Sequence, residues 1–338
     1  MAFPPVPFQE WFLRQTSTGN AALNAYVARV KADGGVVEAI GCVPLAVWDW
    51  VAPVAPTLLL DLYPNAAAAY SLRKLRAAYS GSAVRVRKEV SSVSSETDIG
   101  FLADGTLDTV SLLSFASDAD SGDVFVVTWY DQSLSNDATQ STAADQPKIV
   151  SGGSLVTENG KPAVDFDGVD DFLSHSPISG AALSAFTVSS SSDYSNFQAI
   201  ISSRKNGNSF TNNGYVILHS NDAPTNSTIA QARDGSDFQI SSFTNSLTAQ
   251  RILSFINDGN GVGSSTQLLH ENGSEKSNQS GLDPISYAAA NDYCIGADNS
   301  TGSHFNGKIS EVNIYSSDQS SNRTGVETNI NDFYSIYP

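Results

Sequence analysis

The feature that most limits how this chain can fold is a series of short β-branched and aromatic runs. Each is closed by a cluster of Ser, Asn, Asp or Gly. The runs stand at Ala83–Lys88, Val124–Tyr130, Ala163–Phe166, Phe186–Ser190, Ala199–Ser202 and Tyr215–His219. They continue at Ile229–Arg233, Phe238–Phe243, Arg251–Ile256, Gln267–Glu271, Tyr293–Ile295 and Gly307–Tyr315. They are too short for core helices and too closely spaced for α/β crossovers, so they predict an antiparallel β-sandwich or barrel. Ala83–Lys88 alternates cleanly, with Val84 and Val86 on one face and Arg85 and Arg87 on the other. Val124–Tyr130 is nearly all apolar and reads as a strand buried on both faces, Trp129 included. Helical periodicity is confined to a few segments. Asn65–Ala77 is Ala-rich, Thr106–Phe115 has Leu107, Val110 and Leu113 in phase, and Ser320–Tyr334 carries Val326, Ile330, Phe333 and Tyr334 on one face. The Ser-rich patches Ser91–Ser95 and Ser189–Ser192 read as loops or solvent-facing strand edges.

Residues 1–57 follow a different pattern. A Pro-rich start leads to the aromatic segment with Phe8, Trp11 and Phe12, and Asn20–Lys31 reads as an amphipathic helix through Leu23, Val27 and Val30. Trp48 and Trp50 precede a Pro-Val-Ala-Pro linker. A segment this small encloses little surface by itself, so its large aromatics predict anchoring to a partner. The expected organisation is an attachment segment, 1–57, followed by one sandwich domain, 58–338.

Charge narrows the classes of partner. The formal net charge is −17, with nine basic and five acidic residues in 1–88 but nine and 30 in 89–338. Such a surface repels phosphate, which argues against nucleic-acid binding by charge. The basic set Arg73, Lys74, Arg76, Arg85, Arg87 and Lys88 is expected to meet carboxylates at a subunit or domain interface. Cys42 and Cys294 form no disulfide framework or metal-ligand spacing. The longest apolar stretch, Val43–Leu62, is broken by Asp49, Pro53, Pro56 and Asp61, so no membrane insertion is expected. The Met-Ala-Phe-Pro-Pro start has neither a basic region nor an apolar run of export type, which predicts synthesis in a cytoplasm.

Several phrases carry a resemblance. They are Tyr70-Ser-Leu-Arg-Lys-Leu-Arg, Ala83-Val-Arg-Val-Arg, Thr128-Trp-Tyr-Asp-Gln-Ser, Asn159-Gly-Lys-Pro-Ala-Val-Asp-Phe-Asp-Gly-Val-Asp-Asp, Ile295-Gly-Ala-Asp-Asn-Ser and Phe305-Asn-Gly-Lys-Ile-Ser-Glu-Val. Together, and in this order, they resemble the concanavalin A-like, laminin G-type jelly roll. The variety they resemble is shared by the α-L-arabinofuranosidase B catalytic domain and by phage virion proteins. The resemblance implies a mainly β, antiparallel sandwich over 58–338 with a few short helices. It also implies that Asp298 stands where those enzymes hold their acid/base carboxyl, and that a nucleophilic Glu should lie near Gly214–His219. No acidic residue occurs between Gly207 and Ser220, and Tyr215 or Val216 occupies that place. A retaining glycosidase needs two carboxyl groups about 5–5.5 Å apart, so the catalytic pair is incomplete.

Other candidates are weaker. Asp131 suits either a sugar hydroxyl or a turn that needs a carboxylate acceptor, and Asp298 and Asn299 are the further candidates for contact with a glycan. Asp165, Asp167, Asp170 and Asp171 supply oxygen donors that suit Ca²⁺, but without EF-hand spacing, so no cofactor is expected otherwise. His175, His219, His270 and His304 show no triad or zinc spacing. The reading that unites these features is a non-enzymatic phage virion protein, such as a head fibre, decoration or tail-associated component. It would be anchored to other virion proteins through residues 1–57, oligomeric with a trimer preferred, and able to touch host-surface polysaccharide weakly. The alternatives are a glycoside hydrolase resembling α-L-arabinofuranosidase and a bacterial adhesion or carbohydrate-binding module.

Overall fold

The computed structural model describes residues 58–133, 136–192, 197–204, 214–220, 226–234, 237–244, 249–284, 292–298 and 302–338. The expected helix 20–31, the domain boundary and the aromatics Phe8, Trp11, Phe12, Trp48 and Trp50 lie outside the described residues.

Along the chain, α1 (Leu59–Leu62) precedes β1 (Ala68–Ser71), β2 (Val84–Val90) and β3 (Val93–Ile99). Then come α2 (Thr109–Ala116), β4 (Val124–Trp129), β5 (Ala138–Thr139), β6 (Lys148–Ser151) and β7 (Ser154–Leu155). A small ribbon, β8 (Thr157–Glu158) with β9 (Lys161–Pro162), leads to β10 (Val164–Asp167), β11 (Leu173–His175) and β12 (Leu183–Ser191). The second half holds β13 (Gln198–Arg204), β14 (Gly214–Ser220), β15 (Ser227–Asp234), β16 (Asp237–Thr244) and β17 (Arg251–Asn257). It closes with β18 (Ser265–Glu271), β19 (Ser274–Leu282), β20 (Asp292–Ile295), β21 (Asn306–Tyr315) and α3 (Arg323–Tyr334).

The described strand pairings are antiparallel, as the turn-punctuated pattern predicts. One layer runs β21–β12–β17–β18–β19, with β1 and β10 sharing the free edge of β21. The other runs β3–β2–β4–β5–β11–β20–β13–β14–β15–β16. At one side β6 pairs with both β4 and β10, and so stitches the layers into a nearly closed sandwich. The period of two divides each buried strand between two cores. Ala185, Leu253, Phe255, Val312 and Ile314 face the space between the layers, with Trp129, Phe166 and Tyr293. Phe186, Val188, Ile252, Ile256 and Tyr315 face outward and are covered by Leu59 of α1 and Val326, Ile330 and Tyr334 of α3.

Four local expectations are corrected. Asn65–Ala77 is not a helix, because it contains β1. Ala68 and Tyr70 pack into the inner core while Ala69 packs into the outer one, so small side chains are needed on both faces and tertiary packing overrides the helix propensity of Ala. In α2 the buried face is Leu112 and Ala116, whereas Val110 is 74% exposed. Asp108 sets that start, since its carboxylate accepts the Ser111 N–H at 2.9 Å. Of the serine patches, Ser91–Ser95 is, as expected, a turn leading into an exposed edge strand, whereas Ser189, Ser190 and Ser191 are buried inside β12 rather than at a solvent-facing edge. Strand β4 is buried on one face only over most of its length, and half-exposed Phe125 carries Arg87 over its ring.

Four of the six residues of the basic cluster, Arg73, Arg85, Arg87 and Lys88, pair within the sandwich, which corrects the interface expectation for them. Arg73 grips Glu311 of β21 through Nε and Nη2, at 2.7 and 3.0 Å, with both side chains buried. Ser71, Asn313 and Tyr334 also donate to this carboxylate. Removing one partner of such a buried, hydrogen-bonded pair costs about 3–5 kcal/mol, because the remaining charge is stranded. Arg85 pairs with Glu96 and Asp98 of the neighbouring strand, Arg87 with Glu89, and Lys88 with Asp118.

Candidate functional site

The carboxylates singled out by sequence separate into three environments. Asp131, which follows β4, is 2% exposed. Its carboxylate accepts the backbone N–H of Ala69 at 2.7 Å, of Ser133 at 2.9 Å and of Asn136 at 3.1 Å, and it also accepts the Ser133 hydroxyl. It therefore ties β1 to the loop after β4, as a carboxylate at the end of a buried strand does.

Asp167, Asp170 and Asp171 lie on the turn between β10 and β11, and one oxygen from each comes within 4.8 Å of the others. The Asp167 carboxylate accepts the Val169 N–H at 2.8 Å, and the Asp171 carboxylate accepts the Asp167 N–H at 3.0 Å. Burial, reinforced by the neighbouring carboxylates Asp167, Asp170 and Asp165, raises the Asp171 carboxyl to about 7. Burial and then Asp167 and Asp145 also raise exposed Asp170. This arrangement disfavours three simultaneous negative charges, and it supplies the hard oxygen donors that a Ca²⁺ ion would require. The ring of His304 stands 6.2 Å from that of Phe172 at the end of the turn.

Asp298 lies three residues beyond β20. Gly296 lets the chain arrive there: its φ is +86°, and a Cβ would lie 2.3 Å from the Phe166 ring. Ser202 of β13 donates to the Ala297 carbonyl at 3.0 Å and to the Asp298 carbonyl, while the Asp298 N–H reaches the Gly302 carbonyl at 3.2 Å. Asp298 is 7% exposed. Asn299 lies outside the described residues.

The strand on which the resemblance places a nucleophile is β14. It pairs with β13 on one side and β15 on the other, and all of Gly214–Ser220 is buried. Tyr215 and Ile217 point into the inner core, and Val216 and Leu218 join a small outer cluster with Ala199 and Ile229. No carboxylate occurs on this strand. His175 and His219 are also interior groups. His219 is fully buried, its ring 6.1 Å from Phe305, and burial followed by the Arg251 charge holds its pKa well below the ordinary value. His175 is held near 4 mainly by burial.

No family model matches the sequence, and no curated protein matches it. The fold is similar to that of an arabinofuranosidase solved with arabinofuranosyl-α-1,2-xylobiose, at TM-score 0.59 and 13% identity. It is also similar to a mutant GH54 α-L-arabinofuranosidase soaked with 4-nitrophenyl α-L-arabinofuranoside (TM-score 0.60, 15% identity). GH54 α-L-arabinofuranosidase soaked with a cyclic sulfate inhibitor gives TM-score 0.60 at 14% identity. Each match takes in 81% of this chain and 64% of the other, so the chain spans less than two thirds of the length of these enzymes. At such identity the similarity establishes the sandwich fold alone.

Proposed function

We propose that this chain is a non-hydrolytic, glycan-contacting sandwich protein, carried on a phage virion by residues 1–57. The observation that carries the first half is β14. This strand is buried on both faces, bears no carboxylate, and is the one on which the resemblance expects the partner of Asp298. One carboxyl can protonate a leaving group but cannot also form and release a glycosyl-enzyme bond. The sandwich then keeps the carbohydrate-facing architecture of arabinofuranosidases without their two-step chemistry. The virion setting rests on Trp11, Trp48 and Trp50 gathered in one short segment ahead of the sandwich.

Two measurements test the reading. The full chain should give no turnover of 4-nitrophenyl α-L-arabinofuranoside above buffer, while polysaccharide-containing affinity gels retard it. Turnover that Asp298→Asn abolishes would overturn the non-hydrolytic reading. Deleting residues 1–57 should abolish incorporation into particles or oligomers, and unchanged incorporation would remove the virion setting.

A further inference from the structure

Segments far apart in sequence meet at one open cleft of about 410 Å³, which lies between the entry to β1, the loop after β4 and the loop after β11. Its walls are fixed from inside by buried polar groups. Asp131 holds Ser133 and Asn136 as described above. Tyr70 donates its hydroxyl to the Asn136 carbonyl, and Tyr293 donates to the Ile178 carbonyl at 3.0 Å. The Asn136 side chain clasps Ser176, accepting its N–H at 2.7 Å and donating to its carbonyl at 3.1 Å. Gln132 accepts the Leu75 N–H at 2.7 Å and donates to the Arg73 carbonyl at 2.9 Å, which sets the backbone just before Arg76. The turn after Ser179 is pressed against Ser316, because a Cβ on Gly180 would lie 2.8 Å from the Ser316 carbonyl oxygen. Walls ordered before a ligand arrives reduce the entropy lost on binding.

The lining has a consistent chemistry. Pro64, Pro177 and half-buried Ala67 supply apolar surface, backed by buried Ala66 and Ile178, and Asn65, Ser179 and Ser316 supply hydrogen-bonding groups. Arg76 is the one charged residue of the lining, and its Nη1 donates to the Ser133 carbonyl at 2.9 Å, which leaves further guanidinium N–H groups for a ligand. The nearby acids Asp61 and Asp137 accept backbone N–H groups, from Ala77 and Asp131. On a chain of net charge −17, a cleft lined by one cation and no carboxylate is a place where an anion escapes contact repulsion.

We propose that this cleft binds an acidic saccharide unit, with the carboxylate of a uronic acid on Arg76 and the C–H face of the ring on the apolar wall. This identification rests on the glycan-contacting reading above and names the sugar class. A guanidinium matches a carboxylate in planar, bidentate fashion, and the cleft volume falls in the range of small-ligand sites.

The test titrates the full chain with digalacturonate, with its methyl ester, and with neutral arabino- and xylo-oligosaccharides. Digalacturonate should bind at least tenfold more tightly than its ester. Arg76→Gln should reduce it to the level of the ester without changing the circular dichroism, since Arg76 is exposed. Equal binding of acid and ester, or an acid preference that survives Arg76→Gln, would overturn the cleft assignment while leaving a glycan contact in place. If neither galacturonide binds, the cleft assignment falls. The neutral sugars in the same series then show whether the wider glycan reading falls with it.

Discussion

A carboxylate's role in this molecule is set by what donates to it. Asp131 and Asp298 look alike in sequence, each at the end of a strand and followed by polar residues. Asp131 is saturated by backbone N–H groups and serves as a brace. Asp171 shows the opposite balance, because burial and three neighbouring carboxylates outweigh the single N–H it accepts. Its folded pKa of about 7 lies above the ordinary carboxylate value. The folded state therefore binds the proton more tightly than the unfolded chain, and this group costs stability as pH rises from about 4 to 7. Asp171→Asn keeps an oxygen acceptor for the Asp167 N–H and removes the charge. The variant should be more stable than the parent by about 1–2 kcal/mol at pH 8, with the gain vanishing below pH 4. Denaturant melts at the two pH values would check this. A variant that is less stable at pH 8 would show that the charge is compensated there.

Single elements follow turn chemistry where they are exposed and tertiary packing where they are not. The β2–β3 hairpin turns through Ser91 and Ser92, with φ of 52° and 63°. Two consecutive left-handed residues between paired strands make a turn that favours Asn-Gly. Replacing Ser91 by Asn and Ser92 by Gly should therefore stabilise the protein by about 0.5–1 kcal/mol, read as an upward shift in the melting temperature. A loss would mean that the two serines do more than turn the chain. At the other extreme, β1 is strand because β21 and two cores demand it: Ala68 pairs with Ile314 and Tyr70 with Val312.

The whole molecule answers to pH through its interior histidines. His175 is held near 4, chiefly by burial, and His219 well below its ordinary value, so both stay neutral in the fold. The unfolded chain binds protons at these residues from about pH 6.5 downward. Their contribution is complete above that value and is lost as pH falls through 6.5 toward 4, on the order of 1 kcal/mol per pH unit for each. Asp171 slopes the other way over much of the same window, so the parent should lose stability moderately on acidification. Asp171→Asn should lose it more steeply. Thermal melts from pH 4 to 7 would test the sign, and stability that rises on acidification in the variant would contradict it.

Local sequence determined the β class, the order of the strands and most of their limits. Alternation and turn residues are short-range signals, and strands such as β14 and β17 match their expected runs within a residue or two at each end. The six ordered phrases anticipated an antiparallel sandwich for the same reason, since each is a strand or the turn that ends one. Tertiary structure decided the rest. It made Ala68–Ser71 a strand and buried Ser189–Ser191, because packing on two faces outweighs the propensity of one segment. It also turned Asp131 inward and assembled the Arg76 cleft from segments far apart in the sequence. No local pattern marks that cleft, because its walls meet only when β1, β4 and β11 are brought together, and their fixing groups gain meaning only from distant backbone donors and acceptors.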